Sequence, residues 1–174
     1  MDVANVIANW EAEALQVQEK LGAAGATPPA DLAGLSGMEV FNAMFAGELP
    51  QAPIGVTLDF MPIRIESGTA IFQGRPGQQH YNPLGSVHGG WFCTILDSAV
   101  ACAIHSTLPA GKAYTTLEIK VNMVRALSDA IPLVRAEGNV IHVGRKTATA
   151  EGRIVGPDGK LYAHATTTCL IFDV

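Results

Sequence analysis

The run Asn82-Pro-Leu-Gly-Ser-Val-His-Gly-Gly-Trp-Phe-Cys-Thr-Ile-Leu-Asp97 holds the residues best suited to chemistry in this chain. Its first half is turn-like, and from Trp91 to Leu108 the pattern is helical and almost uniformly apolar. A helix start carries N–H groups without an intrahelical partner and the positive end of the helix dipole. His88, Gly89 and Gly90 stand at that start, where two glycines let a substrate approach the backbone closely. Asp97 is the one charge within the helix, and a buried carboxylate is costly unless it has a partner or a task. A fixed amide donor and a carboxylate together suit a reaction in which negative charge builds on oxygen while a base takes a proton.

Other chemistries find less support. The histidines are His80, His88, His105, His142 and His164, and no two stand with acids at metal-ligand spacing, so no metal is expected. Ser86 and Ser98 lie near the run, but no G-x-S-x-G elbow surrounds either. Cys93, Cys102 and Cys169 all fall in apolar segments at spacings that match no metal or redox motif, and read as free thiols in a reducing compartment.

The whole chain sets further bounds. Its 174 residues suffice for one domain with a substantial core, and 48% hydrophobic against 16% charged residues is a globular balance. The net charge of −5 argues against a nucleic-acid partner. The longest apolar stretch, about 91–104, is interrupted by Asp97 and too short to span a membrane. Residues 1–20 lack a basic start and an apolar signal core and carry Glu11, Glu13 and Glu19, so a cytoplasmic protein is expected.

The elements that must position the run follow from periodicity. Val6, Ile7, Trp10, Ala14, Val17 and Leu21 predict a helix over 3–21, and a short helix is expected over 36–46. Residues 1–50 read as an N-terminal helical extension and 51–174 as the main domain. Strands are expected over 55–65 and 69–79, then the helix 89–107, then strands over 113–126, 131–143, 145–156 and 160–172. The order β-β-α-β-β-β-β excludes alternating βα layers and predicts an α+β fold, an antiparallel sheet wrapped around one long helix.

These residues resemble the hotdog fold, and more narrowly the PaaI-type acyl-CoA thioesterases of phenylacetic-acid degradation. The likeness rests on Asn82-Pro-Leu-Gly-Ser-Val-His-Gly-Gly90, Thr94-Ile-Leu-Asp97, Thr115-Thr-Leu-Glu-Ile-Lys-Val-Asn122 with Arg125, Gly144-Arg-Lys-Thr-Ala148 with Ala150-Glu151, and His164-Ala-Thr-Thr-Thr168. It covers about 50–172. It implies hydrolysis of an acyl-CoA to free acid and CoA, with no cofactor beyond the substrate's own CoA. The Gly89 N–H would polarise the thioester carbonyl, Asn82 would position substrate or water, and Asp97 would act as general base or nucleophile. Thr116 would hold the water, and the role of His88 is left open. Gly90 and Trp91 beside the donor, with Arg125, Arg145 and Lys146, are the candidate contacts to substrate and CoA.

One geometric condition follows. Gly89 and Asp97 lie eight residues apart, about 12 Å of helical rise, too far to touch one carbonyl from the same chain. The site therefore needs two chains, and the expected partner is a second copy, as a dimer or a tetramer of hotdog dimers. Plainer roles stand beside these: Asp97 as an interface acid, His88 as a backbone-bonded helix start, Asn82 as a turn residue, Trp91 and Phe92 as core, Thr116 as strand filling, the cations as solvated turn charges. Two other functions compete. A non-catalytic acyl-CoA binder would keep the pocket without turnover. A hotdog hydratase or dehydratase would need a His one residue after Asn-Pro-x, where this chain has Gly85.

Overall fold

The structure, a computed structural model, describes residues 2–174. Four helices come first: α1 (Val3–Gln18), α2 (Pro29–Leu32), α3 (Gly37–Phe45) and α4 (Pro53–Thr57). Strands β1 (Phe60–Glu66) and β2 (Thr69–Gly74) lead through a 3-10 turn at Gln78–His80 to the long helix α5 (Gly89–His105). Strands β3 (Lys112–Met123), β4 (Val134–Val143), β5 (Thr147–Val155) and β6 (Leu161–Asp173) complete one antiparallel sheet in the order β1-β2-β4-β5-β6-β3. This is the hotdog arrangement expected from the order of elements, with α5 in contact with all six strands. No helix among the described residues is long and apolar enough to cross a membrane.

The two largest departures from the expected strand boundaries flank the first hairpin. Ile54, Val56 and Leu58 alternate like a strand, but Pro53 sits at the first turn of α4, where its fixed φ and missing N–H suit a helix start. Ile54 and Val56 are accordingly exposed, and β1 begins only at Phe60, after Asp59 turns the backbone at φ +53°. The expected strand 69–79 ends at Gly74, because Pro76 has no N–H for the ladder.

The core is the seam between α5 and the sheet. Ile95, Leu96, Ala99, Val100, Ala103 and Ile104 are fully buried against small strand residues such as Ala70, Ala136, Ala150 and Ala163. Small residues let the helix lie close. At Gly138 of β4 a Cβ would collide with the Ala99 carbonyl, and at Gly152 of β5 it would stand 2.6 Å from Val100 Cγ1. Both neighbours belong to the buried helix and cannot swing away. Gly138→Ala is therefore expected to destabilise the chain by about 1–3 kcal/mol, read as a lower urea midpoint. The same change at exposed Asn139 is expected to stay within about 0.5 kcal/mol.

The N-terminal helices are tied to both sides of this body. Gln73 and Arg135 alternate with the core residues Phe72 and Ala136, so they face outward, where α1 covers them. The buried Arg135 guanidinium lies 4.5 Å from the Trp10 ring centre, pairs with Glu13 at 2.7 Å and donates to Gln73 at 3.1 Å. On the other side α3 is fixed to the end of α5. Its start is closed by a capping box of Ser36 and Glu39, and the Gly37 N–H donates to the Leu108 carbonyl at 2.9 Å.

Candidate active site

The approach to α5 is a loop held by Asn82. Its Oδ1 accepts from the Leu84 N–H at 2.9 Å and the Ser86 N–H at 3.4 Å, and its Nδ2 donates to Ser86 Oγ at 3.1 Å. That is the turn chemistry a short amide side chain provides. The strand-like end of the loop is then pinned from two sides. The Val87 N–H donates to the Leu127 carbonyl at 2.9 Å and the His88 N–H to the His80 carbonyl at 2.7 Å.

His88 is the N-cap of α5, with its Nδ1 accepting from the Gly90 N–H at 2.8 Å. An imidazole that accepts at Nδ1 carries its neutral-form proton on Nε2. The Trp91 N–H is turned back to the His88 carbonyl at 3.0 Å. The Gly89 N–H has no partner among the described residues. It borders a cleft of about 340 Å³ shared with Asn82, Phe92, Met123 and Arg125. A Cβ at Gly89 would come within 3.1 Å of Met123 Sδ, so glycine keeps the approach to that amide open.

Asp97 lies two turns further along, half-buried on the flank of α5 that faces the edge strand β3. Its Oδ1 accepts from Thr116 Oγ1 at 3.1 Å, and the same hydroxyl lies 3.9 Å from Cys169 Sγ. The surroundings of Asp97 hold their acidic protons. The Cys102 thiol is pushed up to about 12 by burial, with the Asp97 charge adding to it. Burial likewise raises Cys169 and lifts Tyr114 well above the usual phenol range. Neither thiol is a nucleophile at neutral pH.

The sequence candidates thus fall into three places. Asn82, His88, Gly89, Gly90 and Arg125 gather at the start of α5, and Asp97 with Thr116 stands halfway along it. Arg145 and Lys146 occupy the exposed β4–β5 turn at the far end. There the Lys146 carbonyl accepts from Ile171, which pairs with Tyr114 beside His105. Trp91 departs from its expected role as a substrate contact. It is 3% exposed, donates from Nε1 to the Leu58 carbonyl at 2.8 Å and packs over Gly74, because its position on the helix faces β2. Two residues escaped sequence reasoning. Met123 ends β3 against the Gly89 amide, and His80 supplies the carbonyl that orients His88. Neither carries a spacing signal, since each is brought in by tertiary structure. Among the described residues no three or more His, Cys, Asp or Glu side chains converge on a point.

Burial also holds His105 and His80 below the usual imidazole range, the charge of Asp59 partly opposing it at His80. The unfolded chain then binds more protons than the folded one as pH falls below about 6.5. Stability should be fully present above that value and decline as the solution is acidified through it. Urea midpoints between pH 8 and 5 check this, and His105→Gln should flatten the profile.

The profile of the Thioesterase superfamily matches residues 84–163. The 1,4-dihydroxy-2-naphthoyl-CoA hydrolase of Listeria monocytogenes is 25% identical over 121 residues, 70% of this chain and 94% of that protein. A phenylacetic acid degradation-related protein of Ralstonia eutropha superposes with a TM-score of 0.68 at 28% identity, over 75% of this chain and 98% of its own. The phenylacetic acid degradation protein PaaI of Thermus thermophilus does so with a TM-score of 0.61 at 27% identity, over 68% and 97%.

Proposed function

We propose, from the match of residues 84–163 to the Thioesterase superfamily profile, that this chain hydrolyses acyl-CoA thioesters as a homo-oligomer with shared active sites. The observation that carries this reading is the Gly89 N–H, which has no partner among the described residues and stands at an open cleft. When water adds to a thioester carbonyl, charge collects on the carbonyl oxygen, and a fixed amide at a helix start stabilises it by about 2.7–4 kcal/mol. Asp97 takes the proton from the attacking water, with the Thr116 hydroxyl fixing the carboxylate's orientation. The C–S bond then breaks, CoA leaves as the thiol after gaining a proton, and the acid is released. Direct attack by the same carboxylate would use the same geometry and an anhydride intermediate. No cofactor is needed for either route.

The distance along α5 supports a site that takes the two groups from different chains. Strand β3 is a sheet edge, with Leu117 58% exposed on it, and an open edge of this kind accepts a second strand. Two copies joined about a two-fold axis with antiparallel α5 helices would bring Gly89 of one to Asp97 of the other. The same symmetry carries Arg145 and Lys146 of one chain toward Arg125 of its partner, a cationic cluster suited to CoA phosphates. Asn82 keeps one amide proton beyond its bond to Ser86, available to the carbonyl or the water.

The test is release of free CoA, followed with a thiol-reactive chromogen, from acetyl-, octanoyl-, palmitoyl- and phenylacetyl-CoA. Catalytic release from at least one substrate is expected, from a species that light scattering reports as a dimer or larger. No release from any of them, or full activity in a monomer, would overturn the proposal.

A further inference from the structure

A second cavity, of about 250 Å³, lies beside α5 where Ser98 and Cys102 face out from the helix. Ser98 and Cys102 of α5 form its floor, and Phe60 and Phe72 of the first two strands one side. Val40, Phe41 and Met44 of α3 form another side, and the segment 49–55 flanks its partly open mouth. No charged side chain lines it. The Ser98 hydroxyl already donates to the Thr94 carbonyl at 3.0 Å, so the surface offered is mostly carbon. Ligand sites have this character where a hydrocarbon group is received. The cavity is also near the proposed chemistry, because Ser98 directly follows Asp97 and is displaced from it by about 100° around the helix.

The α3 wall belongs to this chain's own extension, ahead of the segment that matches the superfamily profile. It is firmly set. Gly37 leaves no room for a Cβ against the His105 carbonyl, and the Phe41 ring meets His105 edge-on at 5.0 Å. The turn at Leu108 and the His105 ring thus hold this wall in place.

We propose, resting on the thioesterase reading, that this cavity receives the acyl group and that α3 sets its size, so that compact apolar acyl groups are preferred over long chains. A dry cavity of about 150 Å³ holds benzene, so by proportion this one holds about ten carbons, as a chain or a ring with a short arm. A sixteen-carbon chain exceeds this volume and would have to extend beyond it. Met44 and Val40 become specificity-determining residues, both half-buried and both free of the core's tightest packing.

The experiment measures kcat/KM for acyl-CoAs from four to sixteen carbons on the full-length wild type, Met44→Ala, Met44→Trp and the milder Val40→Phe. In parallel, calorimetry gives dissociation constants for non-hydrolysable S-butyl-, S-octyl- and S-dodecyl-CoA thioethers. A wild-type optimum near eight to ten carbons is expected. Each methylene buried is worth about fourfold, so Met44→Ala should move the optimum to longer chains. Met44→Trp or Val40→Phe should lower the octanoyl-to-butyryl preference by about tenfold or more. Variants that fold with wild-type midpoints and keep the wild-type chain-length profile overturn the proposal while leaving the thioesterase reading intact. If the wild type hydrolyses nothing, that reading falls and the thioethers decide. Chain-length-dependent binding lost in Met44→Trp upholds the cavity, and binding indifferent to chain length overturns it.

Discussion

Asp97→Asn is expected to lower kcat for thioester hydrolysis by about 10²–10⁴-fold, the range over which a positioned general base acts. The substitution is chosen because it removes the base and little else. An amide has the shape of the carboxylate, and its Oδ1 can still accept from the Thr116 hydroxyl now 3.1 Å away. The half-buried setting that makes a charge costly at this point is relieved by the neutral group, so the urea midpoint should hold or rise. The effect belongs in kcat rather than KM, since the proton is taken only as water adds to the carbonyl. Steady-state kinetics beside an unfolding curve give both readings. Undiminished kcat in a folded variant would remove Asp97 from the chemistry, and a lowered midpoint with lowered kcat would return it to the plainer role of an interface acid.

How much of this was legible in the sequence differs by the range of the interaction. The start of α5 could be read because its signals are local. Gly89 and Gly90 break the chain before an apolar periodic run, and the eight-residue spacing to Asp97 fixes a helical rise. The order of elements followed from turn residues at Gly68, Gly144 and Gly159. Where local signals conflict, the reading failed. Ile54, Val56 and Leu58 alternate as in a strand, yet Pro53 makes that segment a helix. Trp91 looked like a site residue because it adjoins the glycines, and only its angular position on the helix shows that it faces β2. Long-range matters were invisible. Nothing local marks Gly138 and Gly152 as the positions against which α5 lies. Glu13 and Arg135 are 122 residues apart and form one ion pair. The wall that α3 builds over Ser98 and Cys102 has the same character, for it depends on where an amphipathic helix docks rather than on any motif.

Gly89→Pro is expected to cut kcat by about 10²–10³-fold, the loss that follows removal of one oxyanion donor. Proline deletes the N–H at a position where proline is otherwise welcome. Gly89 is the first residue of α5, where no intrahelical hydrogen bond is lost and φ near −65° is preorganised. His88 before it is extended at φ −63° and ψ 139°, the conformation a residue preceding proline requires. The added Cβ meets only the flexible end of Met123. Gly89→Ala adds a Cβ in the same place, crowding the approach beside Met123, but keeps the N–H, so it should lose less activity than Gly89→Pro, and the gap between the two variants reports the amide. The pair G89P and D97N then tests whether the two groups act across chains. Each homodimer lacks one group in both sites. In a hybrid dimer one site carries both defects and the other carries neither. Random reassociation makes half the dimers hybrids, so a mixture of two inactive proteins should recover about a quarter of wild-type activity. Recovery should require exchange of subunits, and mixing intact dimers on ice should give none. If exchange is demonstrated by mixed affinity tags and activity still equals the average of the two variants, each chain must hold its own complete site, and the 12 Å argument along α5 would be wrong about how the carbonyl is reached.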